Sequence, residues 1–427
     1  MKTVKEFLEG HRLLVSAGDI DNLVRIFMED MSDGLRGKEG ALRMIPTYIE
    51  AENDFHREIP VLAIDAGGTN FRASLISFNS DGHIAIGKIC NHRMPGIDSE
   101  ISAEEFFSTI AGYIKHLADR AERIGFCFSY PSEIFPDKDG KLIQFCKEVK
   151  APDVVGKMIG KNLLDTLGTP EKPVVLLNDT VAALLAGKSE AINKSYDSFI
   201  GYILGTGTNT CYIERNRNII KNRRLDQNKS QIVNIESGNF KKPPRSDLDI
   251  VYDNTTFDPG SYMFEKMFSG GYFGGLTLTV LKAAAREGVF SGESSEKLNK
   301  LALLTSNDVN NYVNEPRSKN NNFNECFRND HEKEAALEII NALVDRAAVL
   351  SASNLAAVVL WTGKGKLAEK PVLITIEGTT FYKLHNLKER FEKYFTDYLS
   401  AERKRYVEFA EVENASLKGA ALAALID

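Results

Sequence analysis

The chain has 427 residues, of which 43% are hydrophobic and 26% charged, and it carries a formal net charge of -6. That length accommodates two domains or more, each with its own core, and the composition is that of a globular protein, excluding a disordered segment or a nucleic-acid specialist. No apolar run approaches the roughly 20 residues of a membrane span, and the first 19 residues lack a signal peptide's basic start and apolar middle. Five scattered cysteines without a CxxC support neither a disulfide framework nor a zinc site. The expectation is a cytoplasmic protein with reduced thiols, without nucleic-acid or membrane partners.

In chain order, residues 1 to about 52 predict helix, because Leu8, Leu13, Leu14, Ile20, Leu23, Val24, Ile26 and Phe27 recur near helical spacing. From Ile59 the period becomes that of strands: VLAIDAGG, FRASLISF and HIAIGKI predict three in succession, with Asp81-Gly82 as a hairpin turn. A helix comes next near Ala103 to Arg123, then the strand IGFCFSYP, and Asp153 to Leu167 has helical periodicity. PVVLLNDTVAALLAG predicts an apolar strand entering a helix, and FIGYILGTGTNTCYIE a strand, a glycine turn and a second strand. The basic stretch 215–230 predicts a solvated loop, and the Asn-rich stretch 307–329 an exposed one. Helix resumes over Glu332 to Val358. A strand and turn, a charged helix, a last strand and a terminal helix complete an α/β pattern.

The glycines of Asp65 to Asn70 match neither GxxxxGK[ST] nor a GxGxxG that opens a helix. The next residues, Phe71 to Phe78, are strand formers, so the corner joins two antiparallel strands. LGTGTNTCYI repeats DAGGTNFRAS, placing Thr69-Asn70 and Thr208-Asn209 at equivalent turns 139 residues apart. Such a duplication predicts two related domains facing each other. Their glycines let backbone approach a phosphate chain, and N–H groups with Thr hydroxyls supply donors. Asp65 suits a magnesium ion held through water. Asp179, where an apolar strand meets a helix, is either an N-cap or a catalytic carboxylate. Glu265 in MFEKMF and Lys147 would each, alone, be surface charges. GGYFGG has the wrong spacing for a dinucleotide motif and predicts a bend.

Taken together, DAGGTNFR, FSYP, LNDTVA, GTGTN, NIESGNF, FEKMFSGGYFGG and EGTTFYKLH with GAALAAL resemble the hexokinases, within the actin-like ATPase superfamily, from about Phe55 to the C-terminus. The resemblance implies a duplicated actin-like ATPase (ribonuclease H-like) α/β fold with a cleft between two lobes: 55–177 plus 414–427 as the small one, 1–54 plus 178–413 as the large one. It implies ATP-dependent phosphorylation of the 6-hydroxyl of glucose or a related hexose, by a monomer or homodimer using ATP and Mg2+. Asp179 becomes the base and Lys147 the lysine reaching both sugar and phosphate. Ser129, Cys146, Lys147, Asn178, Asp179, Asn209, Glu236 and Glu265 fall to the sugar. Asp65, Gly67, Gly68, Thr69, Asn70, Arg72 and Thr206 fall to the phosphates and their metal, and Gly378, Thr379 and Gly419 to adenosine.

Departures from the family pattern are Cys146 for a common Thr and Ser237 for an aromatic, both beside the sugar, and Glu377 for Asp before the adenosine-loop glycine. Three rivals are a non-catalytic sugar sensor, which could dispense with Asp179; an actin-like ATPase or chaperone, which would lack the sugar glutamates and FSYP; and a sugar kinase of the repressor or glucokinase type, which often carries a cysteine-rich zinc motif.

Overall fold

The computed structural model describes all residues except 1, 146–148, 192–193, 317, 319–320, 401–402 and 427, together with the side chain at position 322. Two mixed sheets carry the molecule, and they share one connectivity. In the first, Val61–Gly67 pairs antiparallel with Asn70–Phe78 and parallel with Arg123–Phe128, which pairs parallel with Val174–Leu177. In the second, Ser198–Leu204 pairs antiparallel with Thr208–Arg215 and parallel with Val372–Glu377, which pairs parallel with Val407–Ala410. Each meander ends on a further antiparallel strand, Ile84–Ile86 in one and Ser230–Asn234 in the other. The repeated glycine corner is therefore the visible part of a repeat of the whole sheet.

The central strands are apolar on both faces because helices cover both. Val61, Leu62, Ala63, Ile64 and Ala66 are fully buried, the pattern of a parallel-sheet interior. Between the sheets lie Asp179–Glu190 and Ala415–Leu425, rich in alanine and packed tightly together. They come close enough that a Cβ on Gly419 would stand 2.0 Å from the Ala182 carbonyl oxygen, and one on Gly125 of the first sheet 1.9 Å from that of Ala420. Helix Asp330–Thr362, 33 residues long, contains an apolar window long enough to cross a bilayer, contrary to the expectation of no such run. That window is 89% buried within the protein and forms core.

Several boundaries differ from those expected. The N-terminal 52 residues are not one helical region: helices Val4–Gly10 and Ile20–Leu35 give way to Ile45–Pro46, which pairs at the edge of the second sheet with Asn234 and Val233. Pro46 has no N–H to donate, so it suits an edge strand and stops helix. The segment after Asp81-Gly82 forms two short strands, Ile84–Ile86 and Cys90–Arg93, both against Asn70–Phe78. The helix expected to reach Arg123 ends at Ala118, and the one expected from Asp153 is a single turn, Pro152–Val154, followed by Ile159–Leu167.

The Asn-rich stretch is a correction. Thr305 and Asp308 form a capping box that starts helix Ser306–Asn314, and Val309, Tyr312 and Val313 are buried. Phe323 and Phe327 stack on Tyr312 with ring centroids 4.7 and 5.7 Å away. Helically spaced apolar residues, outnumbered by asparagines, decided the fold there. The basic stretch is an exposed loop from a turn at Asn216–Asn218 to the strand beginning at Ser230.

Gly419→Ala should lower stability by about 2 kcal/mol or more, because backbone cannot yield as a flexible side chain would. Gly112→Ala, at an exposed mid-helix position where a Cβ meets nothing within 4 Å, should raise it by about 1 kcal/mol. Urea titration of both variants checks the pair of signs.

Candidate functional site

A cleft of about 800 Å³ opens between the sheets, lined by both glycine corners and by the carboxylates of Asp65, Asp179, Glu236 and Glu265. The first corner is a two-residue turn: Gly67 pairs with Asn70, and Gly68 adopts φ +57°, a conformation that favours glycine. Its carbonyl accepts a hydrogen bond from the Tyr130 hydroxyl at 3.0 Å. Gly67 lies so close to Ser129 that a Cβ would meet it at 2.9 Å.

The second corner, Gly205 to Gly207, is held from behind. Gly270 and Gly271 donate their N–H groups to the carbonyls of Gly205 and Thr206 at 2.8 and 2.9 Å, and Thr380 Oγ1 donates to Gly205 at 2.8 Å. GGYFGG is thus a turn that buttresses the corner and then enters helix Phe273–Arg286, while Glu265 sits in a short 3-10 turn rather than an amphipathic α-helix.

Asp179 is the first residue of helix Asp179–Glu190, and the N-cap is its neighbour Asn178, whose side-chain oxygen accepts from the Thr180 N–H at 2.9 Å. The N-cap alternative for Asp179 therefore fails, although its Oδ1 also accepts from that N–H at 2.8 Å. Burial, and secondarily the charges of Asp65 and Glu236, push its carboxyl up to about 6, against the opposing Thr180 hydrogen bond. Glu236 is also raised, by burial, and holds a left-handed conformation at φ 60°. For a non-glycine residue that costs on the order of 1 to 2 kcal/mol and points to a positional requirement.

The acceptors are joined by amides. Asn209 Nδ2 donates to Asn234 Oδ1 at 2.8 Å, and Asn234 Nδ2 donates to Glu236 Oε1 at 2.9 Å. Longer contacts of 3.4 Å reach from Asn209 to Asn178 Oδ1 and Glu236 Oε1. Glu265 Oε2 accepts from the Thr208 N–H at 2.8 Å. These residues, drawn from several chain segments, present a fixed row of side-chain oxygens and amides, as a polyhydroxyl ligand requires when water leaves.

Of the residues singled out from sequence, Asp65, Gly67, Gly68, Thr69, Asn70, Ser129, Asn178, Asp179, Thr206, Asn209, Glu236 and Glu265 all line the cleft. Cys146 and Lys147 lie outside the described residues. Arg72 is not in the lining; its Nε and NH2 donate to Asp65 Oδ2 at 2.9 and 2.7 Å, so it orients the carboxylate. Gly378 stands behind the second corner, where a Cβ would fall 2.4 Å from the backbone of Leu204, and Thr379 comes directly after it. Gly419 is turned onto Ala182 in the helix crossing and is not part of the cleft lining.

Sequence reasoning passed over Asn234, Arg43 and Phe257, all in the lining. For Asn234 a signal existed: it is an amide at the end of a strand, two residues before Glu236 in the motif NIESGNF.

Comparison with known proteins agrees with this geometry. A hexokinase family model matches residues 199–426, and a second one residues 4–189. This chain belongs to the hexokinase family, and it is a hexose kinase. A putative glucokinase-2 of Saccharomyces cerevisiae is 30% identical over 82% of each chain. Hexokinase-3 of Oryza sativa subsp. japonica is 26% identical over 99% of this hexokinase and 90% of its own length. A Schistosoma mansoni hexokinase complexed with glucose superposes with a TM-score of 0.79 at 23% identity, covering 99% of this chain and 98% of its own; it confirms the duplicated two-sheet fold.

The raised Asp179 carboxyl makes a stability prediction of definite sign. Because its folded-state value of about 6 exceeds the ordinary 3.8, the folded protein loses stability as pH rises through that interval. Asp179→Asn, neutral throughout, should be more stable than the wild type at pH 7 by on the order of 2 to 3 kcal/mol, with the gap vanishing near pH 4. Thermal unfolding at the two pH values measures it.

Proposed function

We propose that this hexokinase transfers the γ-phosphoryl group of ATP to the 6-hydroxyl of glucose or a related hexose, with Asp179 as the general base. The observation that carries the reading is one half-buried carboxylate held between two phosphate-type glycine corners and beside the acceptor row of Asn209, Glu236 and Glu265. Phosphoryl transfer asks a protein mainly for alignment and charge stabilisation, and each part has a place. The N–H groups of the two corners face the phosphates. Glu236, Glu265, Asn178 and Asn209 take the ring hydroxyls, leaving the remaining one to Asp179. The Asp179 carboxylate accepts the hydroxyl proton while the oxygen–phosphorus bond forms and the bond to ADP breaks.

Asp65 suits a magnesium ion bound through water. Arg72 occupies its Oδ2, and a single carboxylate beside phosphates is a donor set magnesium accepts, since it keeps much of its hydration. The ion would neutralise phosphate charge. Closure of a small lobe, 55–177 with 414–427, on a large one would exclude the water that otherwise diverts ATP to hydrolysis. A sugar sensor could dispense with a base; retention of Asp179 in a setting that tunes it toward neutrality favours catalysis. On the same reading the enzyme works in the cytoplasm, at the first step of glycolysis.

The test is ADP formation by purified protein with magnesium-ATP and glucose, mannose, fructose or glucosamine. Turnover should require sugar, and Asp179→Ala should lower kcat by about 10² to 10⁴. Sugar-independent ADP release alone, or an undiminished variant, would sink the assignment. In the wild type, kcat/KM should fall with unit slope below pH about 6, where Asp179 becomes protonated.

A further inference from the structure

Phe257 is 99% exposed, the most exposed large apolar side chain among those described, and it lines the cleft. An aromatic ring left in water normally folds onto the nearest apolar surface, since removing its area from water is favourable. This ring is prevented from doing so. Lys266, itself 3% exposed, donates to the residues on both sides of it: to Thr256 Oγ1 at 2.7 Å and to the Asp258 carbonyl at 2.8 Å, as well as to Asp253 Oδ1 at 2.8 Å. Asp253 Oδ2 in turn accepts from the Gly260 N–H at 3.0 Å. The loop is a fixed mount, and it holds the ring out.

Apolar surface lines the same cleft. The wall built on the first sheet presents Pro131 and Phe145, and Phe145 is the half-buried end of an aromatic stack, with ring centroids 5.0 Å from Tyr130 and 5.6 Å from Phe106. The mount also belongs to the sugar site. Lys266 is the next residue after Glu265, which accepts from Thr208 in the second corner, so one 3-10 turn fixes both the carboxylate and the loop that carries Phe257.

We propose that Phe257 is the gate of the hexose pocket: when sugar draws the two walls together, its ring seats on the Pro131 and Phe145 side and seals the mouth against water. This rests on the hexose kinase reading and assigns Phe257 a positioning role, because the ring performs no chemistry. The energy of burying it is realised only in the closed state, so it contributes to sugar affinity and to exclusion of water.

The wild type has a single tryptophan, Trp361, whose Nε1 donates to Glu214 away from the cleft lining. Phe257→Trp therefore adds a reporter at the gate. Glucose should shift its emission to shorter wavelength and protect it from acrylamide quenching, relative to the wild type under the same conditions. Phe257→Ala should raise KM for glucose about tenfold, a difference well within the energy of burying one ring, with kcat changed much less, and Phe257→Leu should recover most of the loss. Emission and quenching unchanged by glucose in a Phe257→Trp enzyme that turns over glucose normally would overturn the gate while leaving the kinase reading intact, and so would a Phe257→Ala enzyme with wild-type KM. Absence of glucose-dependent ADP formation in the wild type would overturn both.

Discussion

The close crossing of helices Asp179–Glu190 and Ala415–Leu425 is the constraint on which the molecule turns. Gly419 lies against the backbone of Ala182, and the two helices occupy the space between sheets that would otherwise each expose an apolar face. Their approach sets how far apart the sheets stand and where the first turn of Asp179–Glu190 emerges. Since Asn178 and Asp179 continue directly from Val174–Leu177 of the first sheet while the helix packs on Ser198–Leu204 of the second, the carboxylate sits where the chain crosses between repeats. That is also where both glycine corners end.

The electrostatics of the cleft oppose stability and serve chemistry. Asp65, Asp179 and Glu236 share one cavity, and the guanidinium of Arg72 engages Asp65 alone of the three. Asp179 and Glu236 are left to burial, which disfavours their charged forms. On the proposed reading, hexose hydroxyls complete the hydrogen bonding that Thr180 gives Asp179 and Asn234 gives Glu236. The site is thus a place where folding free energy has been given up for preorganised acceptors, as the left-handed backbone of Glu236 also indicates. The amide chain from Asn209 through Asn234 to Glu236 fixes the row by covering only part of its hydrogen-bonding capacity.

Rigidity around this site comes from segments with no part in the chemistry. GGYFGG looked like punctuation in the sequence, yet its first two N–H groups hold the carbonyls of the second corner, whose Gly205 N–H closes the turn on the Gly207 carbonyl. Lys266 plays an equivalent part for the loop behind Glu265.

The sequence by itself determined the repeat, most of the order of strands and helices, and the polar residues of the cleft that lie in short motifs, because those depend on local period, on turn chemistry and on motifs only a few residues long. Asp65, Thr69, Asn70, Asp179, Asn209 and Glu236 all stand at or close to strand ends, where a change of period marks the chain. Only the tertiary structure decided that Arg72 turns to Asp65, that Gly419 is spent on Ala182, that the Asn-rich stretch packs around Tyr312, and that Asn234 and Phe257 join the site. Each of those depends on side-chain direction, on a partner elsewhere in the chain, or on a loop whose course is fixed by one buried lysine, and local periodicity carries no record of such things.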